Sequence, residues 1–251
     1  MRGVILSLFF FLLTAFSAQA ITIDGNLSDW GLDTSSFGEN GNDWSQVNPG
    51  VFVWQEDCVG YDCPGADRDD YVGPGYGGQT YDVEAILATL DDSYLYIAIV
   101  TGFPLEGYNG YEVGDIFIDV NLQDDAWDYA FVLKNHDSFR AGNIYEVKKT
   151  EDVKYSQHAV SNPWRVASGG LMDGGDFEYV DDPDHAFSRY FIEAKVPVYL
   201  LGSLSGFKIH WTMECGNDYG ELVAHAPEPA SILLLGAGLF AVGLMVKRRK
   251  S

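Results

Sequence analysis

The sequence predicts an all-β protein, an antiparallel β-sandwich of jelly-roll-like type, with an apolar segment at each end of the chain. Short runs that alternate apolar and polar residues recur between residues 81 and 214, and β-branched and aromatic residues dominate them. Gly, Asp, Asn and Pro separate these runs, and residues 21–221 contain no long amphipathic helix pattern. Short strands at such spacing are typical of two packed antiparallel sheets.

The run YDVEAILATL illustrates the strand pattern. Its period of two is predicted to place Tyr81, Val83, Ala85 and Leu87 on one face of a strand. YLYIAIVTG and GDIFIDVNL alternate in the same way, and DYAFVLK, GNIYEVKK, RYFIEAKVP and GFKIHWTME continue the series. These runs supply the strands of the predicted sandwich.

Turn residues connect the runs. Asp91-Asp92-Ser93 predicts a hairpin turn, and PVYLLGSLSG at 197–206 predicts a helical turn between the last two strands. GPGYGG at 73–78 fits the dinucleotide-binding pattern G-x-G-x-x-G, but that motif requires a preceding strand and a following helix. Here a strand follows and Pro74 stiffens the chain, so the run predicts a tight turn.

The N-terminus has the parts of a secretory signal peptide. Arg2 precedes an apolar stretch at 4–16, and Ala18 and Ala20 stand at the −3 and −1 positions of a cleavage site. The apolar stretch is too short for a membrane span, which needs about 20 residues. We therefore predict that residues 1–20 are removed by signal peptidase.

The C-terminus has the composition of a membrane anchor. Residues 230–246 are uncharged and apolar, and as a helix they would extend about 25 Å, the short limit for a bilayer core. Lys247, Arg248, Arg249 and Lys250 follow, and such a cluster stays on the cytoplasmic side. We predict a transmembrane helix at 230–246, a cytoplasmic tail at 247–251 and a folded body outside the membrane.

An extended segment precedes this helix. The predicted linker 223–229 ends in Pro227, Glu228 and Pro229, and the two prolines keep the chain extended and accessible. Pro-Glu-Pro, a glycine-bearing span and a basic end resemble the PEP-CTERM sorting signal of exosortase-dependent bacterial surface proteins. The resemblance implies a Gram-negative bacterium that makes extracellular polysaccharide. It also implies an inner-membrane-anchored precursor, processing by an exosortase-type enzyme, and delivery to the cell surface or biofilm matrix.

The charge of the body limits its partners. Between the two ends, ten Lys and Arg stand against 37 Asp and Glu, about 27 net negative charges. A surface of this sign repels nucleic acid and favours cations, so nucleic-acid binding is excluded. Residues 21–222 are long enough to bury one core, and a single sandwich domain is predicted.

The cysteines leave two disulfide arrangements open. Cys58 and Cys63 lie close together in a Gly/Asp-rich segment and could form a local bridge, whereas Cys215 with either of them would tie the end of the domain to its start. Three thiols without a nearby histidine pattern disfavour a zinc site.

Two acidic segments are candidate Ca²⁺ sites, because Ca²⁺ prefers several hard oxygen ligands. DRDDY at 67–71 is one, and a solvated loop is the alternative for both. DVNLQDDAWD is the other, with oxygen ligands on Asp119, Asn121, Asp124, Asp125 and Asp128.

Aromatic residues suggest a glycan ligand. Trp44, Trp127 and Trp164 fall in or near predicted loops, where an indole either stacks on a sugar ring or caps the core. ITIDGNLSDW, LDDSYLYIAIVTG, GDIFIDVN and YFIEAKVP follow an order similar to family-nine-type carbohydrate-binding modules. That resemblance implies a β-sandwich, sugar binding and, in some members, structural calcium.

The sequence therefore predicts an exported surface or matrix protein without catalytic activity, associated with extracellular polysaccharide. A carbohydrate-binding module is the alternative. A glycan-active hydrolase that uses Glu193 is a second alternative, but the histidines lack metal-ligand spacing and no G-x-S-x-G motif is present.

Overall fold

The protein is a sandwich of two antiparallel sheets, as predicted. The computed structural model describes residues 20–39, 41–59, 72–122, 124, 126–182, 187–202 and 206–225. Sheet 1 has the order β1-β2-β3-β9-β8 and sheet 2 the order β11-β10-β4-β5-β6-β7. The strands are β1 Phe52–Gln55, β2 Val83–Leu90, β3 Tyr94–Thr101, β4 Ile116–Asp119, β5 Tyr129–Phe131, β6 Asn143–Glu151, β7 Arg165–Gly174, β8 Asp176–Asp181, β9 Tyr190–Pro197, β10 Phe207–Thr212 and β11 Tyr219–Ala224.

Within the described ranges, helical structure is limited to one four-residue α-helix and four short 3₁₀ segments. The predicted turn after RYFIEAKVP is the helix α1, Val198–Leu201, and it connects β9 to β10. Short 3₁₀ turns occupy Leu27–Trp30, Thr34–Ser36, Gln79–Tyr81 and Ser156–Ser161. The final strand ends at Ala224, so the sandwich runs slightly past the predicted boundary at residue 222.

The main core lies between the two sheets. Leu95, Ile97 and Ile99 of β3 face this core, while the alternate residues of β3 face the other side of sheet 1. Both sides of β3 are buried, because a second apolar layer covers the outer face of sheet 1.

The predicted face of β2 requires a correction. Val83 faces the main core, whereas Ala85 and Leu87 belong to the outer layer. An irregularity in the pairing of β2 with β3 falls between Val83 and Ala85. An extra residue at such a bulge reverses the side-chain alternation beyond it, so the strict period of two fails at Glu84.

The outer layer of sheet 1 is formed by the segment from Ala20 to Val51. Leu27, Trp30, Leu32 and Trp44 pack there against the outward residues of β2, β3 and β9. Trp30 and Trp44 have no exposed surface. Burial of side chains of this size is a major stabilising contribution to the sandwich.

The edge strands of the two sheets were not predicted from the sequence. They are β1, β7, β8 and β11. The sequence of β7 includes Gly169 and Gly170, and β8 reads DFEYVD. Edge strands depend on one neighbouring strand and carry polar residues, which weakens their apolar pattern. The predicted hairpin at Asp91–Ser93 is confirmed, since the Asp91 carboxylate accepts hydrogen bonds from Ser93 N at 2.7 Å and Tyr94 N at 2.8 Å.

Candidate functional site

An open cleft lies at one end of sheet 2, and we name it the Trp164 cleft. Its volume is about 300 Å³. It opens between the segment before β4, the turn after β5 and the start of β7. The lining residues are Glu112, Val113, Lys134, Asn135, His136, Asp137, Trp164 and Arg165.

Asp115 holds the walls of this cleft together. Its backbone N–H donates to the Trp164 carbonyl at 2.8 Å, and its Oδ2 accepts from Val166 N at 2.9 Å. The same Oδ2 lies 3.1 Å from Nε2 of His136. Burial raises the pKa of Asp115, and the contact with His136 opposes that rise. Asp115 therefore orients the His136 imidazole from below the cleft surface.

Two cations face the cleft, each beside a carboxylate. The Lys134 ammonium lies 2.6 Å from Glu112 Oε2, and Arg165 Nε lies 2.8 Å from Glu151 Oε2. The Arg165 guanidinium also stacks on the Trp164 ring, 4.5 Å from its centroid. The ammonium, guanidinium, amide and imidazole groups around Trp164 can therefore form hydrogen bonds to a ligand from several sides of the cleft.

A turn rich in tyrosine stands beside the cleft. Tyr108 and Tyr111 exchange backbone hydrogen bonds of 3.0 Å, and Asn109 has a φ of 53° as such a tight hairpin requires. Lys134 donates to the Glu106 carbonyl at 3.0 Å, which joins this turn to the cleft wall. The Tyr108 side chain is 43% exposed and packs on the Tyr81 ring at 5.7 Å between centroids. Tyr108 is not among the residues predicted from the sequence, although Asn109-Gly110 is a hairpin signal.

The predicted glycan-binding tryptophans occupy three different environments. Trp44 is fully buried and donates to Asp57 at 3.1 Å, so the capping alternative holds and its ring offers no face to a ligand. Trp127 lies on the outer face of sheet 2, where the Lys208 ammonium sits 4.2 Å from its ring centroid. Trp164 lines the cleft but is only 5% exposed, so it offers little surface to a ligand. The structure does not bring the three together.

The predicted calcium residues at 119–128 make hydrogen bonds that close their own loop. Asp119 Oδ1 accepts from Asn121 N at 2.9 Å and from Leu122 N at 3.0 Å. Asp128 Oδ2 accepts from Val120 N at 2.9 Å, and Asp124 caps Ala126 N. Among the described residues, no three His, Cys, Asp or Glu side chains are grouped as metal ligands. Asp125 and the DRDDY segment lie outside the described ranges.

Glu193 binds the N-terminal segment. It is fully buried on β9, where its Oε1 accepts from the Trp30 indole at 2.6 Å. Its Oε2 accepts from the backbone N–H groups of Asp24, Gly25 and Asn26 at 2.6 to 3.2 Å. The residue proposed for a hydrolase thus has its oxygens engaged by the fold.

The cysteines select between the two predicted arrangements. Cys58 is disulfide-bonded, whereas Cys215 is a free, buried thiol. The bridge from Cys215 to the start of the domain is therefore not formed. Burial raises the pKa of Cys215 to about 12, so the thiol stays protonated. Cys63, the remaining cysteine, lies outside the described residues.

Buried acidic residues were also missed. Asp82, Glu84 and Asp218 have no exposed surface, and Glu56 is partly buried near them. Glu84 pairs with the buried Arg189 at 2.9 Å. The available signal was the pair of acidic residues that flank Val83 at the start of an otherwise apolar strand.

The comparison with known proteins identifies the C-terminal end of the chain. Residues 225–250 match the family model of the PEP-CTERM protein-sorting motif. No curated protein and no solved structure matches the chain, and the resemblance to carbohydrate-binding modules gains no support. The fold and the motif together define the class, a β-sandwich protein that is exported as a membrane-anchored precursor. The motif further indicates processing by an exosortase-type enzyme and sorting to the cell surface.

The predicted terminal segments lie almost entirely outside the described residues. Pro227, Glu228, Pro229, the predicted helix at 230–246, the basic tail at 247–251 and Ala18 all fall there. Ala20, at the predicted cleavage site, is exposed at the start of the described residues. Within the described ranges, none of the helices has the length and hydropathy to cross a membrane.

Proposed function

We propose that the mature protein is a non-catalytic component of the surface or extracellular matrix of a Gram-negative bacterium, where it binds extracellular polysaccharide. The sorting motif supports the location. The Trp164 cleft with its tyrosine turn supports the ligand class, and this juxtaposition is the observation that carries the proposal.

The cleft has the chemistry that a glycan requires. Sugar hydroxyls both donate and accept hydrogen bonds, and Lys134, Asn135 and Arg165 offer such partners around an open depression. Tyr108, in the turn that Lys134 joins to the cleft wall through the Glu106 carbonyl, presents an exposed aromatic ring on which the apolar face of a sugar can stack. Because Glu112 and Glu151 pair with these cations in a strongly acidic body, the cleft suits the hydroxyl groups of a neutral polymer better than a polymer that carries carboxylates.

Binding without catalysis is favoured by the position of the carboxylates. Glycoside hydrolysis requires two carboxyl groups that flank the scissile bond. Glu193 lies under the N-terminal segment, and Asp115 is buried beneath the cleft against His136. Both groups act as internal hydrogen-bond acceptors. Of the two carboxylates that line the cleft, Glu112 pairs with Lys134 at 2.6 Å and Asp137 lies 3.8 Å from Nδ1 of His136.

A binding experiment with two surface variants tests the proposal. The processed protein, purified from its host, is titrated with the host's extracellular polymer in affinity electrophoresis. We expect Tyr108→Ala and Lys134→Ala each to weaken binding at least about fivefold, equivalent to about 1 kcal/mol.

The matched control is Tyr199→Ala, because the Tyr199 side chain is 71% exposed and does not line the cleft. This variant should bind like the wild-type protein. Equal binding by all variants would reject the cleft, and no binding by the wild-type protein would reject polysaccharide as the ligand.

A further inference from the structure

A group of acidic side chains converges where the two sheets meet, and we name it the Asp82 cluster. Glu56 follows β1, Asp82 precedes β2 and Asp218 precedes β11. A Cβ on Gly220 of β11 would lie 2.6 Å from Ile86 of β2 and 2.9 Å from Trp54 of β1, so these strands are in direct contact. The cluster therefore lies at a junction between the sheets.

The members of the cluster differ in how their charge is satisfied. The Asp218 carboxylate accepts hydrogen bonds from the backbone N–H groups of Val83 at 2.8 Å, Tyr219 at 2.8 Å and Gly75 at 3.3 Å. Both oxygens of Asp82 and Oε1 of Glu56 are buried and accept no hydrogen bond from a conventional donor among the described residues. Asp82 is fully buried, and a buried carboxylate without a partner is strongly unfavourable.

The neighbouring Arg189 and Asp57 are engaged in part by other groups, but Arg189 Nη1 and Asp57 Oδ1 have no hydrogen-bond partner among the described residues. Arg189 Nε bonds Glu84 at 2.9 Å, and Asp57 Oδ2 accepts from Asn42 and from Trp44. Burial, followed by the charge of Asp218, raises the pKa of Asp82 and likewise that of Glu56. The Asp82 and Asp218 carboxyl groups are close enough to share a proton. Either protons or a cation must compensate this acidic group.

The turn that contains Gly73 and Gly75 packs its backbone closely against the carboxylates of the Asp82 cluster. Gly75 has a φ of +57°, and a Cβ there would lie 2.5 Å from the Cys58 carbonyl oxygen and 3.1 Å from Asp82 Oδ1. A Cβ on Gly73 would lie 3.3 Å from Asp218 Oδ1 and 3.9 Å from Glu56 Oε2. The Cys58 carbonyl oxygen and the carboxylate oxygens therefore lie around the same narrow space. A side chain in place of Gly73 or Gly75 would occupy that space.

We propose that Glu56, Asp82 and Asp218 bind one Ca²⁺ ion, which links β1, β2 and β11. All the available ligands are hard oxygens, which Ca²⁺ prefers, and water and the Cys58 carbonyl can supply the remaining positions. The three carboxylates are not arranged as a preformed metal site, since no group of three acidic metal ligands is present among the described residues. Binding therefore draws the unsatisfied Asp82 and Glu56 oxygens onto the ion. The site is separate from the Trp164 cleft and does not depend on glycan binding.

The test compares metal-stripped protein with and without Ca²⁺. The processed protein is treated with chelator, and its Tm is measured in 1 mM CaCl₂ and in NaCl of equal ionic strength. We expect Ca²⁺ to raise Tm by roughly 5 °C or more, because it binds only the folded state. Elemental analysis after dialysis should find one calcium ion per chain.

Two variants locate the site. Asp82→Asn should abolish both the Tm shift and the bound calcium, whereas Asp128→Asn, in the acidic loop after β4, should keep both. Terbium(III) provides a second readout, because Trp54 and Tyr219 lie beside the cluster and should sensitise its luminescence in the wild-type protein. Calcium retained by Asp82→Asn would overturn the assignment, and its loss in Asp128→Asn would place the ion in the acidic loop after β4. Absence of bound calcium and of any Tm shift in the wild-type protein would mean that protons compensate the cluster.

Discussion

His210 illustrates how burial controls a single titratable side chain. It is 1% exposed on β10, and its Nε2 lies 3.0 Å from the Pro163 carbonyl and 3.2 Å from the Ser161 carbonyl. Both partners are acceptors, so Nε2 carries the proton of the neutral ring. Burial lowers the pKa of His210 to about 4. Its Nδ1 lies 3.9 Å from Glu221 Oε2, and the Lys208 charge adds to the lowering.

We predict that His210 makes the protein sensitive to acid. Its folded-state pKa lies below its unfolded value, so the neutral ring contributes fully above about pH 6.5 and loses that contribution as pH falls towards 4. At pH 5 the loss should be about 2 kcal/mol. Urea unfolding at pH 7 and pH 5 measures it, and His210→Gln, which keeps a donor for the two carbonyl groups, should lose correspondingly less. An equal loss in both proteins would contradict the prediction.

At the scale of elements, the N-terminal segment is an integral layer of the sandwich. Its tryptophans fill the outer face of sheet 1, and Glu193 on β9 fixes its backbone at Asp24, Gly25 and Asn26. Burial raises the pKa of Glu193 to about 7, and the hydrogen bonds from the segment oppose this rise. One carboxylate thus connects residues that are about 165 positions apart in sequence.

We predict that Glu193→Ala releases this segment. The substitution leaves the Trp30 indole and three backbone N–H groups without their acceptor, which should cost about 3 kcal/mol or more of unfolding free energy. Hydrogen exchange at residues 24–30 should accelerate more than exchange in β4. Glu178→Ala is the control, because Glu178 is exposed and pairs with Glu193 in the sheet register. Unchanged exchange in Glu193→Ala would exclude the anchoring role.

At the scale of the whole molecule, negative and positive charges are concentrated in different parts of the chain. The body carries the excess of Asp and Glu, whereas Lys247–Lys250 form a concentrated positive group within the matched sorting motif. We expect such a group to stay on the cytoplasmic side and so to keep the precursor in the membrane until the exosortase-type enzyme releases the body. The folded sandwich ends at Ala224, immediately before the matched residues.

We predict that replacing Pro227, Glu228 and Pro229 with alanine blocks release. Proline disfavours a helix and alanine favours it, so we expect the substitutions to remove the extended conformation that the two prolines are predicted to maintain for the processing enzyme. The triple variant should accumulate in the membrane fraction with an intact C-terminus by mass spectrometry. An exosortase-deletion strain that carries the wild-type gene should give the same product. Release of the variant with the wild-type C-terminus would contradict the assigned role.

The sequence by itself determined the sorting signal and the class of fold. A sorting signal is a contiguous segment, so its order of residues is legible without coordinates. The central strands β3 and β4 were predictable because their alternation follows the local geometry of an extended chain.

Only the tertiary structure decided which residues form the sites. Asp82 and Asp218 are adjacent only because β2 and β11 pack across the sandwich, and Trp44 and Trp164 are buried by segments distant in sequence. The bulge near Glu84 and the four edge strands were likewise decided by pairing partners. Local periodicity records the conformation of one strand, whereas burial, charge compensation and ligand geometry depend on contacts between strands far apart in the chain.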